Sequence, residues 1–457
     1  MSELLACVDI GSTWTKAALV ELPGGRLVAT RQAPTTPDDV VDGVLAATGD
    51  WGVPVRACSS AGGGLRLAVV GYEELISAEA GHRAALSAGA RVVHVAAGRM
   101  STAALADLAA AVPDVVLLVG GTDGGEADVL RHNARMLASS APLQGPSASV
   151  RVLGGSGVLR RSVPVVVAGN VAVRDEVCAV LGGAGVPVTP ADNVLPDIGR
   201  LAPESARSAI RDAFLTHVIG GNRLSADPRL RAWVRAVTPD AVLDGVAALA
   251  DLRTAAEVPG VLVLDVGGAT TDVHCVPVAD AEQTSLQRSA VGVPARRRTV
   301  EGDLGVRASA DALREAAAAE GLPAPGDDPL ALGEAAAVVA LRRHLRAEVA
   351  YGPGGASARG VGLVVLSGGV FRHADPGELA AVTARVAADR GGAGGVLAGA
   401  QVVVDTRYVL AAAGLLAGDA PTAAAGLLGE LLPGWVSPPG CPAGRPSRPP
   451  TRSAARR

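Results

Sequence analysis

Two short stretches of this chain join an aspartate to a glycine turn and a set of hydroxyl side chains. The first is Val8-Asp9-Ile10-Gly11-Ser12-Thr13-Trp14-Thr15-Lys16, and the second, 256 residues later, is Leu264-Asp265-Val266-Gly267-Gly268-Ala269-Thr270-Thr271-Asp272. In each, the aspartate closes an apolar run, the turn follows, and a second strand begins. Glycine lets backbone N–H groups come close to a phosphate, and Ser or Thr hydroxyls add donors. On this reading Gly11, Ser12, Thr13, Gly267, Gly268, Thr270 and Thr271 cradle phosphates. Asp9 and Asp265 face a shared Mg²⁺ through its waters, because that ion keeps much of its hydration shell. Lys16 is the only lysine among 41 Lys and Arg residues. A high-GC coding bias accounts for the arginines and makes the surviving lysine informative: it reaches terminal phosphates as a compact point charge, which a guanidinium fork is not. Taken singly, either stretch also reads as an ordinary tight hairpin. Their recurrence at equivalent places in two halves points to a nucleotide.

Two more segments bear on the same chemistry. Val116-Leu117-Leu118-Val119-Gly120-Gly121-Thr122-Asp123-Gly124-Gly125-Glu126 ends a strand in Gly120 and Gly121 and places carboxylates at a helix start. There Asp123 or Glu126 could orient an attacking water, or could simply cap the helix. Leu363-Val364-Val365-Leu366-Ser367-Gly368-Gly369-Val370-Phe371 ends a strand in Gly368 and Gly369, which suits close approach of an adenosine. The run Asp272-Val273-His274-Cys275-Val276-Pro277 approaches the cobalamin-ligating pattern D-x-H-x-x-G. It ends in Pro, however, and already reads as the second strand of a hairpin, so no cobalt bond from His274 is expected.

A chain of 457 residues exceeds one ordinary domain and predicts two or three. It is 49% hydrophobic but 2% aromatic, so its cores must be built from Ala, Val and Leu. Each half opens on a hairpin, Leu4–Leu22 and Val261–Pro277, and continues as strand and helix units. The expected organisation is α/β, with domains over 1–255 and 256–430. Residues 431–457, rich in Pro, Gly, Ser and Arg, read as a disordered basic tail. A net charge of −4 argues against nucleic acid as the main partner. Cys7, Cys58, Cys178, Cys275 and Cys441 are scattered without a C-x-x-C, as free thiols in a reducing cytoplasm would be, and carry no zinc or iron–sulfur signature. No run of 18 apolar residues predicts a membrane span, and the N-terminus does not read as a signal peptide.

The order of these motifs resembles the actin-like ATPase superfamily (actin, Hsp70, sugar kinases), with its phosphate-1, connect-1, phosphate-2, adenosine and connect-2 segments. Asp405-Thr406-Arg407-Tyr408-Val409-Leu410-Ala411-Ala412-Ala413-Gly414 is similar to the last of them. Within that superfamily the chain resembles the MutL family associated with glutamate mutase, which is unrelated to the mismatch-repair protein of that name. The matching stretches are Asp9–Lys16, Cys58–Leu65, Gly120–Glu126, Val167–Asn170, Asp265–Asp272 and Val300–Arg307. They run to about Gly414 and leave the tail outside.

The resemblance implies two RNase H-like domains flanking a nucleotide cleft, with ATP and Mg²⁺ as cofactors. It also implies subunits of an adenosylcobalamin-dependent mutase as partners, in a chaperone-like, reactivating role driven by ATP. A small-molecule kinase shares the fold and motifs. A nucleotide-binding scaffold without turnover fits them too. An activator of radical dehydratases needs clustered cysteines that this chain lacks. Val300–Arg307 has no chemical reading of its own; Glu301, Asp303 and Arg307 could line the cleft or cap the next helix.

Overall fold

Along the first strand, Leu5 and Cys7 point to one side, while Ala6, Val8 and Ile10 point to the other, into a different hydrophobic cluster. A strand with apolar residues on both faces needs cover on both, and the fold supplies it. The computed structural model describes residues 3–432 apart from 37, 62–64, 74–77, 79, 82–83, 86–89, 140–162, 199, 220–223, 256–259, 278–295, 350–360 and 390–399. The expected basic tail, apart from its first two residues, and Cys441 lie outside the described residues.

The first sheet is built from β1 (Glu3–Ile10), β2 (Trp14–Leu22), β3 (Arg26–Pro34), β4 (Val55–Ser59) and β10 (Val234–Val237), with α1 (Val40–Thr48) between β3 and β4. Its order is β3-β2-β1-β4-β10; β1, β2 and β3 pair antiparallel, and β4 and β10 add in parallel. The second sheet holds β11 (Gly260–Val266), β12 (Thr271–Val276), β13 (Arg297–Glu301), β14 (Val361–Ser367) and β15 (Gln401–Val404). Its order, β13-β12-β11-β14-β15, repeats the first in both sequence and direction. The chain therefore carries two copies of one RNase H-like plan.

A third sheet is inserted between β4 and β10. It comprises β5 (Arg66–Gly71), β6 (Arg91–Ala97), β7 (Val115–Leu118), β8 (Val165–Val167) and β9 (Val188–Pro190). All its described pairings are parallel, in the order β6-β5-β7-β8-β9. Helices α2 (Thr102–Ala110), α3 (Asp128–Ala138) and α4 (Arg174–Gly183) belong to it, and α5 (Glu204–Ala213) and α6 (Pro228–Trp233) lead back to β10. The first half thus holds two sheets where the sequence suggested one succession of strands. The apolar runs Leu67–Val70, Val92–Ala96 and Val115–Leu118 lie in the insertion, in β5, β6 and β7, and not in the sheet that carries Asp9.

Helix α7 (Thr238–Ala255) follows β10, and the second half begins with β11 at Gly260. Helices α8 (Ala310–Ala319), α9 (Pro329–Val349), α10 (Gly369–Arg372) and α11 (Pro376–Ala388) cover one face of the second sheet, and α12 (Leu410–Ala417) and α13 (Pro421–Leu428) come last. Helices α7 and α12 lie between the two repeated sheets. One cluster joins Leu5, Ala18 and Val20 of the first sheet to Val261, Val263 and Val365 of the second through residues of both helices. That position explains the sequence of α12, Leu410-Ala411-Ala412-Ala413-Gly414-Leu415-Leu416-Ala417: a helix covered on all sides has no polar face. The two helices cross at glycine. A Cβ on Gly414 would stand 1.7 Å from Ala241 O, and one on Gly245 would stand 2.1 Å from Leu410 O. Among the described residues no helix is long and apolar enough to cross a membrane.

Candidate functional site

The period of two along a strand decides where the aspartates point. In β1, Cys7 faces the inner helices, so Asp9 does too; in β11, Val261 and Val263 face them, so Asp265 does. Both aspartates end the first strand of their sheet on the face turned to the other half. Lys16 sits directly opposite Asp9 across the β1–β2 ladder, and its Nζ is 3.5 Å from Asp9 Oδ2.

The two turns have the same construction. Gly11 N–H donates to Trp14 O at 3.1 Å, and Gly267 N–H donates to Thr270 O at 2.9 Å. In each, that carbonyl stands where a Cβ would be, 2.7 Å away at Gly11 and 2.9 Å at Gly267, so only glycine closes the turn this way. The turns also meet: a Cβ built on Gly268 would lie 3.9 Å from Thr13 Oγ1. Ser12 and Thr13 are exposed, and Gly267, Gly268 and Thr270 partly so. Thr271 is different. Its buried hydroxyl donates to Leu304 O at 2.7 Å, inside the second half and away from the cleft.

Asp9 is the most heavily bonded group of the cluster. Thr238 Oγ1 donates to its Oδ1 at 2.6 Å, with Cys58 Sγ 3.7 Å from the same oxygen. Tyr408 OH donates to its Oδ2 at 3.1 Å. Thr238 opens α7, and Tyr408 stands two residues before α12, so both inner helices begin at one carboxylate. Tyr408 also lies beneath Lys16, whose Nζ is 3.5 Å from the ring centre, and it adopts φ 59°. A bulky side chain in the left-handed region costs about 1–3 kcal/mol and persists only where its surroundings hold it. Here Asp405 does part of the holding, accepting from Val409 N and Leu410 N at 3.0 and 3.3 Å.

Asp265 is pushed up to about 6, by burial first, with Asp272 and Asp9 adding repulsion while Lys16 and a Ser367 hydrogen bond oppose the shift. Burial also holds the Cys58 thiol and the Tyr408 phenol well above their ordinary values, so both stay protonated near neutrality. Arg372 and Arg407 line a small cavity with Lys16 and Asp9, and Arg372 Nη2 reaches Thr30 Oγ1 of the opposite half at 3.2 Å. Gly368 and Gly369 follow β14, and Gly368 takes φ 124° as the chain passes Val266.

Asp123 and Glu126, with Gly120 and Gly121, sit at the end of β7 in the inserted sheet, and their contacts stay there. Asp123 Oδ1 accepts from Val171 N at 3.1 Å and Asn193 Nδ2 at 2.9 Å. Glu126 Oε1 accepts from Asp128 N and Val129 N at 2.8 and 3.1 Å, which caps α3. Gly120 O accepts from Asn170 N, and Gly121 O from Asn193 Nδ2. Of the two readings left open by the sequence, the cap is the geometry seen for Glu126. From the first half it is Thr238, after β10, and Cys58, on β4, that reach Asp9. Thr238, Tyr408, Cys58 and Ser367 were missed as site residues. The signal for Thr238 was present as a helix start, Thr238-Pro239-Asp240, after a short apolar strand.

The chain matches the family described as MutL protein over residues 5–328 and 326–432. It is 31% identical over 474 residues to Protein MutL of Clostridium tetanomorphum, covering 93% of this chain and 98% of that one. Among solved structures it is similar to a nucleotide-free acetone carboxylase (14% identity, TM-score 0.35, 92% of this chain and 71% of that one). It is also similar to the xylulose kinase of Bifidobacterium adolescentis (12%, TM-score 0.30, 92% and 94%) and to a PilM–PilN type IV pilus biogenesis complex (14%, TM-score 0.28, 92% and 96%). The extent of the family match and the near full-length identity agree with the motifs read from the sequence: the chain belongs to the MutL protein family.

Proposed function

We propose that this protein binds ATP with Mg²⁺ between its two repeated halves and serves as a reactivating accessory protein of an adenosylcobalamin-dependent mutase. The observation that carries the nucleotide part is the convergence of two identically closed turns, with Thr13 Oγ1 beside the open face of Gly268. Ser12, Thr13, Gly268 and Thr270 would hold phosphates, Gly267 would close the second turn as Gly11 closes the first, and Lys16 would meet the phosphates' charge. The residues fit a divalent cation: Asp9 and Asp265 come from opposite halves, and their mutual repulsion contributes to the rise at Asp265. When bound, the cation would neutralise the phosphates and favour hydrolysis. The chain's own part is to bind, orient and close. Gly368 and Gly369 would receive the adenosine. With the carboxylates of Asp123 and Glu126 engaged in the inserted sheet, turnover is expected to be slow until a partner completes the site.

The mutase part rests on family membership and on the helix arrangement. Both inner helices start at Asp9, so a ligand that pulls on Asp9 acts on the angle between halves. A partner reads that angle only if the ligand contacts differ between the two angles. The test is co-purification with cobalamin-dependent mutase subunits in ATP and in ADP, followed by recovery of a mutase inactivated with a cobalamin analogue. Association that differs between the nucleotides, with recovered activity, is expected. No association in either, together with phosphate transfer to a small metabolite, would replace the proposal with the kinase reading.

A further inference from the structure

The repeated halves are alike in every strand, yet not in charge. In the first, the residue facing the turn aspartate across the ladder is Lys16, opposite Asp9. In the second, the equivalent residue is Asp272, opposite Asp265. Asp272 is taken up by Arg298, whose Nη2 lies 2.7 Å away. The second turn therefore has no cation on its own hairpin, although on the proposed reading it faces the same phosphates.

Val300–Arg307 fills that gap. It runs from the end of β13 onto the back of the second turn and is fixed there by main-chain bonds. Val306 N donates to Gly267 O at 3.1 Å, and Arg307 N and Ala308 N donate to Gly268 O at 2.9 and 2.8 Å. Ser309 Oγ donates to Ala269 O at 3.0 Å. Gly305 presses so close that a Cβ would stand 2.3 Å from Ala269 C. These bonds turn the carbonyls of Gly267, Gly268 and Ala269 to the segment behind them. Among the described residues, no acceptor meets the N–H groups of Gly268 and Ala269. The acids of the segment are spoken for: Arg343 Nη1 holds Glu301 Oε2 at 2.9 Å and Asp303 Oδ1 at 2.7 Å. Arg307 is exposed. A Cβ on Gly268 would lie 3.9 Å from Arg307 Cδ and 3.9 Å from Thr13 Oγ1. One spot before Gly268 thus has the stem of an arginine of the second half and a hydroxyl of the first both within 3.9 Å.

We infer that Arg307 reads the terminal phosphate of the bound nucleoside triphosphate, sharing it with Thr13 across the cleft; the inference rests on the proposed nucleotide site. A guanidinium matches a phosphate with paired hydrogen bonds, which an ammonium does not. The contact exists only while the halves are closed, so a triphosphate favours closure more than a diphosphate does. That difference is what a shift between two states requires.

The experiment is a calorimetric titration of wild type, Arg307→Ala and Arg307→Lys with Mg·ATP and with Mg·ADP. Because Arg307 is exposed, both variants are expected to melt as wild type does. In Arg307→Ala, the Kd for ATP should rise about tenfold or more, the effect of losing a charged hydrogen bond, while the Kd for ADP should change by less than about threefold. Arg307→Lys should fall between them for ATP. Equal losses for ATP and ADP, or no loss for ATP, would overturn the role of Arg307 and leave the nucleotide site standing. Failure of wild type to bind either nucleotide would overturn both.

Discussion

Gly414→Ala adds one methyl group where α12 crosses α7. Two effects of opposite sign follow, and their sizes decide the outcome. In a helix interior, Gly to Ala is worth about 1 kcal/mol of stability by propensity alone. Against this, the new Cβ would stand 1.7 Å from Ala241 O and 2.8 Å from Gly245 N. Non-bonded heavy atoms need about 3.5 Å, so the helices must part by nearly 2 Å. The atoms met are main chain and cannot swing aside, which puts the cost at the upper end of the usual overpacking range, about 3 kcal/mol. The net prediction is a loss of about 2 kcal/mol, or about 4–8 °C in Tm. Gly418→Ala is the control. Gly418 has helical angles, φ −75° and ψ −44°, and a Cβ there meets nothing within 4 Å. It should raise stability by up to about 1 kcal/mol. Thermal melts of the two variants beside wild type provide the assay. Because Tyr408 precedes α12 and bonds Asp9, Gly414→Ala should also weaken Mg·ATP binding, whereas Gly418→Ala should not. A Gly414→Ala protein as stable as wild type, or two variants that shift the same way, would refute the close crossing.

Tyr408→Phe keeps a ring beneath Lys16 but removes the 3.1 Å bond to Asp9; a loss of about 1–2 kcal/mol is expected in denaturant titrations, together with a change in ATP affinity. Asp123→Asn should lower thermal stability through its bonds to Val171 and Asn193 and leave nucleotide affinity within about twofold of wild type; a large affinity loss with unchanged melting would return Asp123 to the cleft. Burial holds His274 well below the usual histidine range and His344 down at about 3. The unfolded chain takes up protons near pH 6.5 and the folded chain does not, so stability should fall as pH drops from about 6.5 toward about 3, with a limiting slope of about 1.4 kcal/mol per pH unit for each histidine. Neither nitrogen of His274 has a partner among the described residues, so His274→Leu should match wild type at pH 7.5 and flatten the acid slope in urea midpoints; an unchanged slope would remove His274 from the account.

The parts legible in the sequence were those with local signatures. The paired turns stood out because an aspartate, a glycine closure and hydroxyls recur at one spacing, and a hairpin opens each half. The strands that complete the first sheet were not legible. β4 is Val55-Arg56-Ala57-Cys58-Ser59, with little apolar alternation, and β10 is four residues that run straight into α7. Without them, nothing in the sequence separates the strands of the inserted sheet from those of the first, and Gly120–Glu126 reads as part of the same site as the two turns. Tyr408 and Thr238 were hidden for another reason. Their roles depend on a contact with Asp9 across 399 and 229 residues of chain, and no periodicity encodes a tertiary hydrogen bond. Val300–Arg307 likewise acquires meaning only from the turn against which it lies.

Nucleotide binding by the paired turns is the proposal on which the others depend. Calorimetric titration of Mg·ATP into wild type, Lys16→Ala, Asp9→Ala and Asp265→Ala tests it most directly, with melting curves to confirm that each variant is folded. Wild type should bind one nucleotide per chain, and each variant should lose about tenfold or more in affinity, with a larger loss for ATP than for adenosine in Lys16→Ala. Unchanged Mg·ATP affinity in all three variants, or no binding by wild type, would contradict it.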